Sequence, residues 1–374
     1  MRILIATVTA GAGHLQAAAA VEEAWRRLCP RDIVGRVDLL DFVPKLQRQL
    51  YARGYVKVVE HTPELWGLMF RQTDDPALVR KLTRFRRVFA RATNRRFVRH
   101  LREFGPEAVI CTHFLPVEVL GHLAGRGIDP FTACVVTDYE AHALWVDPAL
   151  DLYCVAATET KSSLMARGTD AGQIAVTGIP IADKFAHRLS SPAVRRTLGL
   201  RNDLPVLLVL SGGLGMGPVA DILTALDQVK RPLQTLAVAG RNAKLRTELA
   251  ARDHRHPTRV LGFVTNMHEL MTAADLVLTK PGGLTTAEAL ALGKPLFILN
   301  PIPGQESANS DFLLERGAAV KVNRVRDLPF RIEQLLGSTR LKTMARAAGR
   351  LGRPRAAEDV CGEVVRRLQE RTCN

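Results

Sequence analysis

A glycine-rich turn, a helix start and a group of amide and carboxylate side chains fall together between Lys280 and Asn309. The apolar run Asp275-Leu-Val-Leu278 reads as a short buried strand, and Gly282-Gly283 lets the backbone turn sharply after it. Thr285 or Thr286 is expected to cap a helix running to Leu292, where Gly293 and Pro295 stop it. Such a turn presents the amides of Gly283, Leu284 and Thr285 and the positive end of the helix dipole, a setting for a phosphate or diphosphate. Glu288 lies one turn further in, within reach of a ligand's hydroxyls. The next apolar run, Leu296-Phe-Ile-Leu-Asn300, ends in a polar loop carrying Gln305, Glu306 and Asn309, side chains suited to sugar hydroxyls. Strand, phosphate turn, helix, strand and hydroxyl-binding loop imply a nucleotide-sugar site. Thr285-x-x-Glu288 fits a capping box equally well, and doubly wound folds carry such turns whether or not they bind anything.

A second constellation stands at the other end of the chain. Gly11-Ala-Gly13-His14 follows the apolar run Ile3–Val8 and opens a helix expected over Leu15–Leu28. A dinucleotide fingerprint, with Asp38 as its ribose acid, would want a small residue where Gln16 stands. A histidine that merely caps the helix is another reading. A neutral imidazole, with a pKa near 6.5, suits a general base that takes a proton from a hydroxyl. The helix N-terminus beneath His14 disfavours imidazolium and keeps it in that form. Asp138, His142 and Trp145 follow the apolar run at Ala133–Thr137. They could face an acceptor or orient His14; Asp138 could instead cap a helix and Trp145 could be core. His113, after the run at Ala108–Thr112, is a candidate of the same kind.

These groups need a scaffold, and the spacing of apolar runs supplies one. Runs at Ile3–Val8, Ala108–Thr112, Ala133–Thr137, Leu152–Val155 and Ile174–Val176 alternate with helical patterns. A second series runs through Val206–Leu210, Leu236–Ala239, Arg259–Leu261, Leu276–Leu278 and Leu296–Leu299. The expected class is α/β, with two doubly wound, Rossmann-like domains facing a cleft. Each motif follows a strand, where ligands of such sheets bind. The polar stretch Asp183–Pro205 is the expected boundary. It divides residues 1–187 from 188–345, the half that carries the nucleotide-sugar motif; 346–374 forms a helical, Arg-rich tail.

The 374 residues suffice for two full cores, and 47% hydrophobic with 24% charged residues is ordinary globular composition. The six cysteines show no Cys-x-x-Cys spacing and read as reduced thiols of a cytosolic protein. Arg2-Ile-Leu-Ile-Ala-Thr-Val8 reads as a first strand, not a signal peptide, and no apolar run approaches the ~20 residues that span a bilayer. With no Asp-x-Asp pair and no clustered ligand spacing, no metal or other cofactor is expected. The net charge of +15 is concentrated between Arg80 and Glu103, where Arg86, Arg87, Arg95 and Arg96 interleave with apolar residues at helical spacing. Apolar residues including Trp66 crowd residues 42–70 just before it. Together they describe a surface for an anionic membrane. The run also fits a solvated helix face. Aromatic residues are only 5%, too few for base stacking, so nucleic acid is not expected as a partner.

Several segments form an ordered set: Thr9-Ala-Gly-Ala-Gly-His14, Val136-Thr-Asp-Tyr-Glu-Ala-His-Ala-Leu-Trp145, Val176-Thr-Gly-Ile-Pro180, Ser211-Gly-Gly-Leu-Gly-Met-Gly217, Gly240-Arg-Asn242, Gly262-Phe-Val264 and the two after Lys280. In this order they resemble the bacterial and plastid diacylglycerol glycosyltransferases, which include monogalactosyldiacylglycerol synthases and processive diacylglycerol glucosyltransferases. More distantly the chain is similar to the enzyme that adds N-acetylglucosamine to the peptidoglycan lipid intermediate. The resemblance implies a GT-B architecture of glycosyltransferase family 28 and an inverting transfer of hexose from UDP-glucose or UDP-galactose to a diacylglycerol-type lipid.

It further implies His14 as base. The backbone of Phe263 and Val264 would meet the nucleobase and Glu288 the ribose. Gln305, Glu306 and Asn309 would meet the hexose, and the Gly212–Gly217 loop, with Gly213 and Gly215, the phosphates. Residues around 42–102, Trp66 and the four arginines among them, together with His142 and Trp145, would serve the acceptor or membrane. The final helix is expected to pack back on the first domain. The protein would work in the cytoplasm, peripheral on the inner face of the cell membrane. Ser211-Gly-Gly-Leu-Gly departs from the family, which often has a third glycine and an acid there. The alternatives are a UDP-sugar epimerase on the same architecture, a transferase for another lipid-linked acceptor, and a non-enzymatic basic binding module.

Overall fold

The computed structural model describes residues 1–9, 11–44, 48, 67, 72–74, 95–123, 127–211, 217–299 and 301–373. Two compact units divide the chain: one of Met1–Asp183, Pro303–Gln305 and Arg355–Asn374, the other of Lys184–Ile302 and Glu306–Pro354.

In the first unit, strands β1 (Arg2–Thr7), β2 (Ile33–Asp38), β3 (Ala108–Cys111), β4 (Phe131–Val135), β5 (Leu152–Val155) and β6 (Ile174–Val176) form one sheet. All pairings are parallel and the order is β2-β1-β3-β4-β5-β6. Helices α1 (Ala12–Leu28), α2 (Phe114–Leu123) and α3 (Thr158–Ala166) belong to it. Successive side chains of β1 face opposite sides and both are buried. Ile3 and Ile5 join a core with Val21, Ala24 and Trp25 of α1, whereas Leu4 and Ala6 join one with Phe97, Leu101, Val117 and Leu120. That two-sided burial makes the parallel strands read as continuous apolar runs.

The second unit repeats the plan. Strands β7 (Val206–Leu210), β8 (Gln234–Val238), β9 (Thr258–Leu261), β10 (Leu276–Thr279), β11 (Leu296–Leu299) and β12 (Ala319–Val322) pair in parallel, in the order β12-β11-β10-β7-β8-β9. Its helices are α4 (Ser191–Thr197), α5 (Val219–Leu226), α6 (Ala243–Ala250), α7 (Met267–Ala273), α8 (Gly283–Ala291), α9 (Gln305–Glu315), α10 (Leu328–Leu335) and α11 (Thr339–Leu351). The last helix, α12 (Ala356–Cys373), adds Ala357, Val360, Cys361 and Val364 to the α1 side of the first core. Among the described residues, no helix is long and apolar enough to cross a membrane.

Three details differ from the reading of the sequence. Ser190-Ser191-Pro192 begins helix α4 and is no linker; Arg195 from that helix donates to the Ala273 carbonyl at 2.9 Å and pairs with Asp275 at 2.7 Å. Strands β2 and β12 are absent from the two apolar series. Both are sheet edges that carry a cation, Arg36 or Lys321, as edges do to resist pairing with other chains. The chain changes units at Asp183–Lys184, inside the expected boundary, but then also at Ile302–Pro303 and Gln305–Glu306, and its tail returns to the first unit at Pro354–Arg355 instead of at 346.

Candidate active site

The first sheet reverses its direction of growth between β1 and β3, and the second between β7 and β10. Crevices beyond the carboxyl ends of strands at such points are where open α/β sheets bind ligands. In each unit the candidate residues gather there.

In the first unit, Gly11 stands between β1 and α1 with φ 101°, a conformation that excludes a side chain. Helix α1 starts at Ala12, earlier than Leu15, so His14 is its third residue. His14 does not cap the helix. Its Nδ1 lies 2.8 Å from the carbonyl oxygen of Thr112, the residue after β3, and 3.0 Å from Thr137 Oγ1. A carbonyl can only accept, so Nδ1 carries the proton and Nε2 keeps the lone pair. The Thr112 hydroxyl donates to the His14 carbonyl at 3.0 Å and lies 2.9 Å from Thr7 Oγ1. Burial lowers the His14 pKa below its ordinary value, against the opposing effects of the Asp138 charge and the Thr112 carbonyl. The imidazole is thus held neutral with its basic nitrogen fixed.

Aromatic rings wall this residue. The His113 ring stands edge-on, 4.6 Å from that of His14, and Trp145 is 6.3 Å from both. Trp145 is 5% exposed and packs with Phe114, so the core reading of this residue holds. His142, rather than Asp138, caps a short helical turn at Ala143–Trp145; its Nδ1 accepts from Leu144 N at 3.1 Å. His142 is also buried, with Nε2 3.9 Å from Asp74. Neither His142 nor Trp145 offers an exposed surface to an acceptor or membrane, which corrects that expectation. Asp38 is no ribose acid. Its carboxylate accepts from Thr9 N at 3.2 Å, from the Thr9 hydroxyl and from Leu40 N at 2.9 Å, so it ties the end of β2 to the loop after β1.

In the second unit, Ser211 prolongs β7 by donating its hydroxyl to the Val238 carbonyl at 2.6 Å. Ser211, Gly217 and Val219 share the wall of a small cavity with Thr279 and Lys280, which follow β10. Helix α8 starts at Gly283 with Gly282 as its cap residue, so neither Thr285 nor Thr286 caps it. Glu288 consequently lies too far into the helix for a capping box. The first-turn amides of Gly283, Leu284 and Thr285 have no partner within the helix by construction. Glu288, one turn on, has its pKa pushed up to about 8 by burial, with Lys184 opposing the rise. It is a mostly protonated carboxyl at neutral pH.

The loop after β11 divides its roles. Gln305 is half-buried at the start of α9. Glu306 accepts from Ile302 N at 2.7 Å. Asn309 has 0% exposure, and its amide donates to the Pro281 carbonyl at 3.0 Å. It braces the turn before α8 instead of facing a hexose, a correction that follows from its burial. Phe263, after β9, is 54% exposed with the Arg241 guanidinium 4.9 Å above its ring, and Val264 is half-buried beside it. Trp66, Arg86, Arg87, Gly213 and Gly215 lie outside the described residues. Arg95 and Arg96 are described and exposed. The sequence reading missed the threonines Thr7, Thr112 and Thr137 around His14; the signal for two of them was a polar residue closing an apolar run.

Known proteins match both halves. Residues 14–181 match the family model for monogalactosyldiacylglycerol (MGDG) synthase, and residues 191–351 that for glycosyl transferases group 1. Processive diacylglycerol beta-glucosyltransferase of Bacillus subtilis (strain 168) is 30% identical over 342 residues, 90% of this chain and 87% of that protein. The protein of the same name from Bacillus cereus (strain AH187) is 28% identical over 97% of this chain and 93% of its own. Among solved structures, MurG of Acinetobacter baumannii superposes with a TM-score of 0.63 at 16% identity, over 98% of this chain and 99% of that one. A putative UDP-N-acetylglucosamine 2-epimerase from Listeria monocytogenes gives 0.63 at 15% identity, over 99% and 97%. The architecture is GT-B. Transferase and epimerase share it, so fold alone does not choose between them.

Proposed function

Because the chain belongs to the glycosyltransferase family of the monogalactosyldiacylglycerol synthases and processive diacylglycerol glucosyltransferases, we propose that it moves a hexose from UDP-glucose or UDP-galactose to diacylglycerol. The observation that carries this reading is the His14–Thr112 contact, which leaves Nε2 as a fixed base. Nε2 takes the proton of the acceptor hydroxyl as its oxygen attacks the anomeric carbon. The bond to UDP breaks, the configuration inverts, and the imidazolium formed is stabilised by the charge of Asp138. The amides at Gly283–Thr285 and the helix dipole of α8 support the diphosphate as its charge grows. The residues of the Gly212–Gly217 loop, Gly213 and Gly215 among them, add to that support. Glu288 receives the ribose hydroxyls, the backbone at Phe263 and Val264 the base, and Gln305 and Glu306 the hexose. This route needs no metal or other cofactor. The work takes place on the cytoplasmic face of an anionic membrane, reached through residues 42–102, with Trp66, Arg86, Arg87, Arg95 and Arg96.

The test is to incubate the protein with diacylglycerol vesicles and each UDP-sugar in the presence of EDTA, following products by mass spectrometry and NMR. A β-linked hexosyl-diacylglycerol together with free UDP is expected from one donor. Conversion of the UDP-sugar to its epimer without consumption of lipid would assign the isomerase activity instead. Strict dependence on added Mn²⁺ or Mg²⁺ would remove the metal-free leaving-group support.

A further inference from the structure

Helix α11 presents the sharpest charge contrast of the second unit. From Ser338 to Pro354 the chain holds five cations, Arg340, Lys342, Arg346, Arg350 and Arg353, and no carboxylate. All are exposed, and none makes an ion pair or side-chain hydrogen bond among the described residues. Lys342, Arg346 and Arg350 recur every fourth residue and so line one side of a helix about 20 Å long. The opposite side, with Met344, Ala347 and Ala348, is buried. Helix α11 packs on α8, and a side chain at Gly352 would overlap the Leu290 carbonyl.

An ordinary solvated helix mixes its signs, as α12 does: there Arg366 and Arg367 pair with Glu363, and Arg371 with Asp129. The α11 cations are not offset in this way. At the N-terminal end of α11, away from the Lys342–Arg346–Arg350 side, Arg340 lines a hollow of about 290 Å³ with Lys321, Arg331 and Gln334. Lys321 and Arg331 are likewise exposed and without an acidic partner among the described residues.

The geometry points to the Lys342–Arg346–Arg350 side of α11 as a docking surface for anionic phospholipid head groups. It goes beyond the proposed reaction, since it depends neither on the acceptor nor on residues 42–102. Helix α11 has no aromatic residue on which a base could stack, which disfavours nucleic acid. Its exposed side has no large apolar residue to insert, so docking is electrostatic and salt-reversible.

The experiment compares the full-length protein with the triple variant Lys342→Gln, Arg346→Gln, Arg350→Gln by co-sedimentation. Vesicles of phosphatidylglycerol and phosphatidylcholine are set against phosphatidylcholine alone. Each cation near an anionic leaflet is worth about fivefold in partitioning, so the variant should bind mixed vesicles about a hundredfold more weakly. Binding of wild type should fall as salt approaches 0.5 M, roughly where screening becomes short-ranged. UDP affinity should be unchanged, which shows that the variant is folded. Equal binding of both proteins to mixed vesicles would overturn the proposal, as would a variant that loses only retention on immobilised DNA. Failure of the proposed reaction would leave this comparison intact, because no turnover is measured.

Discussion

Thr112 holds His14 from two sides: its carbonyl accepts from the ring Nδ1 at 2.8 Å, and its hydroxyl donates to the His14 carbonyl at 3.0 Å. One residue at the end of β3 thereby sets both the tautomer and the backbone position of a side chain on α1. The parallel register that places Ala6 beside Cys111 brings those two ends together. Thr112→Val keeps the carbonyl and the shape but removes the hydroxyl. Steady-state kinetics should show kcat lowered about tenfold, one neutral hydrogen bond's worth, with the KM for the UDP-sugar unchanged. Thr112→Ser should restore the rate. If Val and Ser behave alike, the hydroxyl positions nothing.

Burial depresses the His14 pKa, so the neutral, basic form persists to lower pH than for an ordinary imidazole. The acid limb of kcat/KM should therefore lie below about 6.5. Asp138→Asn removes the charge that raises this pKa, and should move the limb lower still. The same variant should slow the reaction near neutrality, because the imidazolium formed during transfer loses its stabilising charge. A limb above 6.5, or one indifferent to Asp138, would exclude His14 as the base. His14→Ala should cost 10²–10⁴ in rate, the usual contribution of a general base.

Glu288, with its pKa raised to about 8, binds a proton in the folded protein that it releases near 4.5 when unfolded. Below both values the two states are equally protonated and nothing is lost. Between them the unfolded carboxyl ionises first, so stability falls as pH rises, and the loss is complete above about 8. Glu288→Gln should therefore raise Tm at pH 8 and leave it unchanged at pH 4. At pH 7 the amide mimics the protonated carboxyl, so UDP affinity by calorimetry should change little. Glu288→Ala should weaken it about tenfold, as loss of neutral hydrogen bonds of ~0.5–1.5 kcal/mol each would. A Gln variant as weak as Ala would mean that Glu288 binds as a carboxylate.

The central strands were legible because they are buried on both faces, and each left an unbroken apolar run such as Val206–Leu210. The edge strands β2 and β12 were not, since Gly35 with Arg36, and Lys321, interrupt them. His14, Glu288 and Gly283 were legible from local chemistry: a turn, a helix start and a titratable group in one short segment. What sequence spacing could not supply was which polar group meets which across the sheet. Thr112 reaches His14 across a sequence separation of 98, and Asn309 reaches Pro281 across one of 28. Asn309 resembles a ligand contact by type and place, yet its burial assigns it to the turn.

That assignment has a measurable consequence. Removing the Asn309 amide leaves the Pro281 carbonyl buried without its donor, a loss of about 1–3 kcal/mol. Pro281 immediately precedes Gly282 and the first amides of α8, so a relaxed turn also misaligns the groups offered to the diphosphate. Asn309→Ala should lower Tm and weaken UDP binding together. Asn309→Asp, which sets a carboxylate against the carbonyl, should do both more severely. A residue that touched only the hexose would behave differently: KM for the UDP-sugar would rise while Tm and the affinity for UDP stayed at wild-type values. Thermal unfolding and UDP calorimetry on the same two variants separate the cases, and a change confined to the sugar would return Asn309 to the hexose contacts.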